Sequence, residues 1–444
     1  MATLTPRAQA LKILIDVEQR GAFANLALQG LSGISPRDRA LITELVNGTV
    51  RRRRTLDHVL SAFVRTGLDK LTAPIRNNLR MGAYQLFYTS GIPAHAAIDE
   101  AVKLAHRYGH SGVAKLTNAV LRRVQREGRE VPMPDPAREP VAAIGVRESL
   151  PDWLVSRWVE AYGLEVAAEL ATASNHPTPM ALRANTLKIE RDTLLAQLRE
   201  AGLDAEPSPV VSEGLRFAHG VALSQIPAYN EGTWYVQGEA AMLASRVVDP
   251  QPGETVLDIG AAPGGKTTHL AALMRDEGRV IAVDPHEGRL ELVAENAARL
   301  GEHIVTLRHQ DGTAPFDVVA DRILVDAPCS GFGVLYRKSD LRWHQTPEQV
   351  DALPAEQLAI LASVAKALKP GGVMVYATCT INPAENEAVV RDFLAAHPDF
   401  KPGDIRPYLP EAWREEAPNG MIQLLPSKHG VEGFFIARME RTHG

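Results

Sequence analysis

The segment ETVLDIGAAPGGKT (Glu254–Thr267) decides the fold of the larger part of this 444-residue chain. Its first half is an apolar run of strand length, and its glycine-rich half leads into a pattern with Leu270, Leu273 and Met274 on one helical face. A strand, a tight glycine turn and a helix in this order begin a parallel sheet that binds ligands at its strand ends. Letter for letter, Gly260–Thr267 also fits the P-loop pattern of nucleotide triphosphatases.

Strands and helices keep alternating after this segment. Apolar runs predict further strands within Arg279–Asp284, His303–His309, Arg322–Asp326 and Gly372–Thr378, and amphipathic patterns between them predict helices. Such alternation implies a mostly parallel sheet with helices on both faces. We therefore expect residues 236–444 to form a Rossmann-like α/β domain.

Four carboxylates stand at or near the carboxyl ends of consecutive predicted strands, and they indicate which ligand the glycine loop holds. They are Asp258, Asp284, Asp311 and Asp326. Carboxylates oppose a phosphate but suit ribose hydroxyls, an adenine amine and a cationic sulfonium, so S-adenosylmethionine is favoured over a nucleoside triphosphate. Pro263 also removes an N–H that a phosphate cradle would use. Lys266 is then a pocket residue that pairs with one of these carboxylates.

The only two cysteines, Cys329 and Cys379, follow the fourth and fifth predicted strands and therefore face the same pocket. No Cys or His pair has zinc spacing, and no C-x-x-C motif is present, so we expect neither a metal nor a redox site. Beside a methyl donor, a thiolate that adds to carbon 6 of cytosine makes carbon 5 nucleophilic. Asp326 would stabilise the adduct through the cytosine ring nitrogen or amine. Residue chemistry leaves open which cysteine attacks.

The charge of the chain is unevenly distributed. Residues 1–130 carry 20 Lys and Arg against 10 Asp and Glu, a net charge of +10, although the whole chain has a net charge of −5. A basic module suggests a polyanionic partner such as RNA. The start of the chain has no apolar core of signal-peptide type, no apolar run reaches membrane-span length, and two cysteines suit a reducing compartment, so we expect a cytoplasmic protein.

The basic module is predicted to be helical. Apolar faces recur at helical spacing through residues 1–130, and Ser35 is placed to cap a helix that begins at Pro36. Four prolines within Val131–Pro140 predict a linker over 131–144. Mixed patterns over 145–235 predict a small α/β domain.

Six motifs together resemble the Nop/Sun family of RNA cytosine-5 methyltransferases. These are DIGAAPGGKT, VDPHEGRL, QDGT, DAPCSGFGVLYRKSDLRW, LKPGG and YATCTINPAENE. The helical segment, from ANLALQGL through NAVLRRV, resembles the NusB-like RNA-binding domain fused to a bacterial branch of that family. The resemblance covers nearly the whole chain.

The resemblance implies roles for individual residues. Cys379 would be the nucleophile, and Cys329 would help release the product. S-adenosylmethionine contacts would come from Gly260, Ala261, Ala262, Pro263, Gly264, Gly265, Lys266, Asp284, Arg289, Asp311 and Asp326. The substrate would be a cytosine of 16S ribosomal RNA, at position 967, methylated before the subunit is complete.

Two basic stretches are further candidates for RNA contact. The loop YRKSDLRW (Tyr336–Trp343) combines Arg337, Lys338 and Arg342 with two aromatic rings, and RRRR (Arg51, Arg52, Arg53, Arg54) lies in the basic module. A nucleoside triphosphatase, a non-catalytic assembly factor and a transfer RNA substrate remain as alternatives. A monomer is the default expectation.

Overall fold

The computed structural model describes residues 4–217, 221 and 225–443. It divides into two compact units: Met1–His176 with Leu335–Gln345, and Pro177–Val334 with Thr346–Gly444. Within the described residues, no helix is long and apolar enough to cross a membrane.

Helices form the first part of the chain, and strands and helices are mixed after Ala173. The helices are α1 (Pro6–Arg20), α2 (Ala24–Gln29), α3 (Pro36–Arg51), α4 (Arg53–Ser61), α5 (Ala73–Tyr88), α6 (Ala94–Tyr108), α7 (Ser111–Glu127), α8 (Pro140–Glu148), α9 (Asp152–Ala173), α10 (Arg191–Glu200), α11 (Glu239–Val248), α12 (Gly265–Leu273), α13 (Glu287–Leu300), α14 (Leu341–His344), α15 (Pro347–Ala365), α16 (Glu387–Ala396) and α17 (Pro426–His429). The strands are β1 (Met180–Ala184), β2 (Ala205–Pro207), β3 (Gly214–Phe217), β4 (Trp234–Val236), β5 (Thr255–Ile259), β6 (Arg279–Asp284), β7 (Val305–His309), β8 (Ala320–Asp326), β9 (Leu368–Thr378), β10 (Phe400–Pro402), β11 (Met421–Leu424) and β12 (Phe434–Arg441).

The first unit is a helical bundle, as the apolar periodicity predicts. Buried side chains from α1, α3, α5 and α7, such as Leu11, Leu45 and Leu121, meet in one core. Ser35 caps α3 as expected, because its Oγ accepts the Asp38 N–H at 3.1 Å. That bond satisfies one of the amide groups left open at a helix start.

Helix α8 spans the boundary predicted at residue 145, and both α8 and α9 belong to the compact helical unit, so the boundary at 145 stays a prediction. Thr55 Oγ1 donates to the Val146 carbonyl at 2.6 Å, and the Arg54 N–H donates to Ser149 Oγ at 2.9 Å. The predicted linker 131–144 also overlaps the first residues of α8. Prolines mark where a chain leaves a helix, but they do not show against which neighbour the next helix packs.

Strands β1–β4 form a small antiparallel sheet in the order β2-β3-β1-β4. Together with α10 they bury Leu182, Leu198 and Trp234 in a separate core. This arrangement confirms the expected small α/β domain.

The large sheet has the order β10-β12-β9-β8-β5-β6-β7, with β11 paired to β12. Strands β7, β6, β5, β8 and β9 are parallel, whereas β12 runs antiparallel to β9. The sheet is therefore mostly parallel, as predicted. Asp284 ends β6, Asp326 ends β8 and Thr378 ends β9, so the predicted site residues lie at one edge of the sheet.

Candidate active site

The glycine loop between β5 and α12 makes a sharp turn. Gly260 has a φ of +74°, and a Cβ placed on it would lie 2.3 Å from the Asp326 carbonyl oxygen. The N–H groups of Gly260 and Ala261 donate to the Val283 carbonyl at 2.9 and 3.0 Å, and that of Gly264 donates to the Ala261 carbonyl at 2.8 Å. These three donors are used within the protein, which differs from a loop whose N–H groups surround a phosphate.

Lys266 is paired with a carboxylate, as the sequence suggests. Its Nζ donates to Asp326 Oδ2 at 2.7 Å and lies 5.4 Å from the centroid of the Phe434 ring. Burial by itself lowers the pKa of Lys266, but the negative charges of Asp326, Asp258 and Cys379 outweigh it and raise the pKa. Lys266 therefore stays positively charged between the carboxylates and the cysteines.

The carboxylates of Asp284 and Asp326 lie close enough to Asp258 for their charges to act on it, whereas the convergence of all four predicted carboxylates, Asp311 included, stays a prediction. Asp258 is fully buried and accepts Thr267 Oγ1 at 2.6 Å. Burial raises its pKa to about 7, and the charges of Asp326 and Asp284 contribute to the rise. Lys266 pairs with Asp326, and Arg289 lies 3.7 Å from Asp284, so each of these two carboxylates has a basic neighbour.

Two further predicted cofactor contacts, Arg289 and Asp311, have different environments. Arg289 donates to the Ala262 carbonyl at 2.9 Å, and another of its nitrogens lies 3.7 Å from Asp284 Oδ2. It therefore ties α13 to the glycine loop. Asp311 follows β7, is exposed, and accepts both the N–H and the hydroxyl of Thr313 at 2.7 Å. These two bonds lower the pKa of Asp311, which keeps it ionised.

The two cysteines contact each other. Their sulfurs lie 3.4 Å apart, and both thiols are free and half-buried. The hydrogen bond to Cys379, together with burial and the charges of Cys379, Glu385 and Asp326, raises the pKa of Cys329 well above its ordinary value. The two sulfurs share one hydrogen bond, in which either thiol can be the donor. Among the described residues, no group of three or more His, Cys, Asp or Glu is arranged to hold a metal ion.

A buried glutamate, Glu385, joins the loops that carry the cysteines. It accepts the Ser330 N–H at 2.8 Å and the Ser330 hydroxyl at 2.6 Å on one side. On the other side it accepts the Asn382 amide at 2.9 Å and the Gln357 amide at 3.3 Å. The motif YATCTINPAENE contains this residue, but its role was not predicted from the sequence. Its position six residues after Cys379 in a polar run was the available signal.

The structure corrects the prediction that Arg342 contacts RNA. Arg342 is fully buried in the helical unit, where it donates to the carbonyls of Ser149 and Ser174 and to Asn175 Oδ1 at 3.0 to 3.2 Å. The side chain makes these bonds because α14 belongs to that unit's interior. Trp343 is also engaged, since its indole N–H donates to the Val50 carbonyl at 2.7 Å. Arg337 and Lys338 are exposed.

The four consecutive arginines have different environments. Arg51 donates to the Tyr336 carbonyl at 3.2 Å and lies over the Tyr336 ring. Arg52 lies 3.7 Å from Glu148, and Arg54 pairs with Asp152 at 2.7 Å. Arg53 lies over the Trp343 ring, 5.3 Å from its centroid.

Three known families match the chain in succession. Residues 4–126 match the NusB family, residues 150–224 match the ferredoxin-like domain of Methyltr_RsmF/B-like proteins, and residues 245–440 match 16S rRNA methyltransferase RsmB/F. A probable ribosomal RNA small subunit methyltransferase B from Bacillus subtilis is 38% identical, over 99% of this chain and all of its own length. The chain belongs to the ribosomal RNA small subunit methyltransferase B family.

Another relative matches over a similar length, and two solved structures match about two-thirds of the chain. The Pseudomonas putida ribosomal RNA small subunit methyltransferase B is 35% identical over 98% of both chains. A solved structure of NSun6 from Pyrococcus horikoshii with SFG, an S-adenosylmethionine analogue, has 26% identity and a TM-score of 0.60, and the match covers 67% of this chain and all of that one. A methyltransferase homologue from the same organism has 31% identity and a TM-score of 0.58, over 68% of this chain and 99% of that one.

Family membership makes the chain an RNA methyltransferase that uses S-adenosylmethionine. The residues present fit this cofactor. Three of the loop N–H groups donate within the protein, and its lysine is already paired with Asp326. Asp284 and Asp326 end strands at the same edge of the sheet, so the site suits a ligand with ribose hydroxyls and a cationic centre better than a triphosphate.

Proposed function

We propose that the chain methylates carbon 5 of a cytosine in 16S ribosomal RNA through a covalent adduct between Cys379 and carbon 6. The observation that carries the proposal is the contact between the two sulfurs at 3.4 Å. Burial and the charges of Glu385 and Asp326 help to raise the pKa of Cys329, so that in the proposal Cys329 keeps its proton and donates it to Cys379. A thiol that donates to its neighbour favours the thiolate of that neighbour. Cys379 is therefore the better nucleophile of the pair.

Lys266 also favours the thiolate form of Cys379. Its ammonium group is attracted by the charges of both Asp326 and Cys379. By reciprocity, Lys266 stabilises the Cys379 thiolate. It also holds one oxygen of Asp326, which leaves the carboxylate oriented to accept the exocyclic amine of the target cytosine.

The reaction then follows from the two sulfurs. The Cys379 thiolate bonds to carbon 6 of cytosine, and the displaced electron pair of the ring makes carbon 5 nucleophilic. Asp284, Asp311 and the glycine loop would hold S-adenosylmethionine, whose sulfonium methyl group would be transferred to carbon 5 with neutral S-adenosylhomocysteine as the leaving group. Adduct formation removes the negative charge from Cys379, which was one cause of the raised pKa of Cys329.

Cys329 is thereby prepared for the release step. Once Cys379 is bonded to carbon, Cys329 no longer faces a thiolate and gives its proton to solvent more readily. Its thiolate takes the carbon 5 proton, the electrons of that bond restore the carbon 5–carbon 6 double bond, and Cys379 leaves as a thiolate. The two cysteines act one after the other on the same cytosine.

The cysteine roles are tested by two substitutions in the full chain, assayed with tritiated S-adenosylmethionine and 16S RNA. Cys379→Ala should abolish methyl transfer and leave cofactor affinity near wild type. Cys329→Ala should accumulate a protein–RNA adduct that survives a denaturing gel. If Cys379→Ala traps the adduct and Cys329→Ala does not, the roles are reversed. A wild-type chain that shows neither turnover nor adduct would instead be a non-catalytic assembly factor.

The target nucleotide is proposed to be cytosine 967, methylated before the subunit is complete. Bisulfite sequencing of ribosomal and transfer RNA from a deletion strain identifies the site directly. Loss of methylation only in transfer RNA would contradict the proposal. Faster methylation of free 16S RNA than of assembled subunits would support action before assembly.

A further inference from the structure

A cavity of about 270 Å³ lies inside the helical unit and is lined by residues of that unit. Its apolar wall is formed by Leu14, Val17, Val50 and Trp343. Its polar wall includes Arg53, Arg80, Asn77 and Glu18. A cavity of this size, lined on one side by apolar groups and on the other by a few polar ones, has the composition of a small-ligand site.

The charges around the cavity do not balance. Arg80 pairs with Asp57 at 2.6 Å and with Glu18 at 3.2 Å, and Glu18 also pairs with Arg76 at 2.9 Å. Two carboxylates are therefore shared by two guanidinium groups. The guanidinium of Arg53 adds a third positive charge to this cluster.

Arg53 differs from its neighbours in the run Arg51–Arg54. The other three donate to carbonyl oxygens or pair with carboxylates. For Arg53, no carboxylate of the described chain lies within ion-pair distance, and its guanidinium lies over the Trp343 ring. Burial and the charge of Arg80 lower its pKa, although an arginine stays protonated at neutral pH. The cavity thus contains an arginine that has no carboxylate within ion-pair distance among the described residues, although the charges of Asp57 and Glu18 act on it from further away.

We propose that this cavity binds one nucleotide of single-stranded RNA, with the phosphate on Arg53 and the base against the apolar wall. A guanidinium fork matches a phosphate in a bidentate manner, and apolar and aromatic side chains accept an unstacked base. The volume suits one nucleotide and is too small for a duplex. The inference rests on the proposed function only in taking RNA as the polymer.

The test measures the affinity of the full chain for a fluorescent single-stranded RNA by anisotropy between about 50 and 300 mM salt. Arg53→Gln should lower the affinity about tenfold and reduce the slope of log affinity against log salt by about 0.7, the value for one phosphate contact on a single strand. Arg138→Gln removes the same charge from a side chain that is 87% exposed and lies outside the cavity. That control should change the affinity less than about twofold.

Cross-linking of the wild-type chain supplies a second measurement that does not depend on a substitution. RNA containing 4-thiouridine, irradiated in the complex, should attach to peptides that contain Trp343 or residues 49–54. If Arg53→Gln and Arg138→Gln behave alike, or if cross-links fall only outside these peptides, the cavity is not an RNA site. Methylation assays separate the two proposals, because absent turnover with normal cross-links contradicts only the proposed function.

Discussion

Glu302 is a buried carboxylate, 6% exposed, that directly follows the glycine at the end of α13. Within the described part of the chain, neither of its oxygens has a hydrogen-bond partner. Burial raises its pKa to about 8, and Asp276 adds to the shift, although Arg183, Lys188 and Arg299 oppose it. In the folded protein Glu302 is therefore protonated at neutral pH.

This shift predicts a pH dependence of stability. The unfolded chain loses the Glu302 proton near pH 4.5, whereas the folded chain keeps it to about pH 8. Between these values the folded state binds more protons, so the free energy of unfolding falls as the pH rises, by on the order of a few kcal/mol. Glu302→Gln imitates the protonated form, so the free energy of unfolding, measured with urea, should fall less between about pH 6 and pH 9 than in wild type.

The matched control for this prediction is Glu295→Gln, at an exposed position within α13, the helix that ends just before Glu302. It should leave the difference between the two pH values as in wild type. An equal pH dependence in Glu302→Gln and wild type would show that Glu302 is ionised in the folded protein.

At the scale of elements, the active site depends on two loops that hydrogen bonds hold next to each other. One follows β8 and carries Cys329, and the other follows β9 and carries Cys379. Glu385 bridges them through Ser330 and Asn382, and the Ser330 hydroxyl also contacts Thr380 at 2.7 Å. Glu385 therefore helps to hold the two sulfurs 3.4 Å apart, although none of these hydrogen bonds involves a sulfur.

Glu385→Gln should weaken this connection. An amide in place of the carboxylate directs N–H groups toward donors on Ser330 or Asn382 and leaves at least one of them unsatisfied, at a cost of about 1–3 kcal/mol. We expect methyl transfer to fall about 10- to 100-fold, with less adduct trapped in the Cys329→Ala background and cofactor affinity within about twofold of wild type. The exposed Glu387 provides the control, and Glu387→Gln should retain wild-type turnover. Unchanged turnover in Glu385→Gln would show that methyl transfer does not depend on the connection that Glu385 makes between the two loops.

The elements themselves were largely predictable from the sequence. The strands around Asp258, Asp284 and Asp326 are short apolar runs with acids at or near their ends. That local pattern predicts both the parallel sheet and the position of these acids at the carboxyl ends of its strands. Cys329 and Cys379 were predicted to meet because consecutive parallel strands end together. Glu385 was missed because its role depends on hydrogen bonds between loops, which no local pattern encodes.

The segment Tyr336–Trp343 shows the limit of composition as a guide. Three basic and two aromatic residues in eight positions are typical of an RNA-binding surface. Arg342 is nevertheless buried, because backbone carbonyls of Ser149 and Ser174, distant in sequence, satisfy its donors. Burial and the charges of Arg51 and Arg52 lower its pKa to about 9, so it remains protonated at neutral pH. The position of such carbonyls is a property of the tertiary structure.

At the scale of the whole molecule, the helical unit is not continuous in sequence. Residues 335–345 complete it, although they lie between β8 and α15 of the methyltransferase sequence. The segment hydrogen-bonds to several parts of the bundle. Asp340 accepts the Ala24 N–H at 2.8 Å, Arg342 satisfies the Ser149 and Ser174 carbonyls, and Trp343 donates to Val50. A fragment that ends at His176 would leave these groups without their partners.

This discontinuity predicts the behaviour of a fragment containing residues 1–176. Without the segment, carbonyls buried in the full chain lose charge-assisted hydrogen bonds, and the core loses the indole ring, so the fragment should melt several degrees lower than the bundle in the full chain. A synthetic peptide of residues 334–345 should bind the fragment and raise its melting temperature, because a ligand that binds only the folded state stabilises it. The same peptide with Arg342→Met should have little effect in calorimetry. A fragment that melts like the full-length bundle and ignores the peptide would show that the segment contributes nothing to the stability of the bundle, and the burial of Arg342 would then need another explanation.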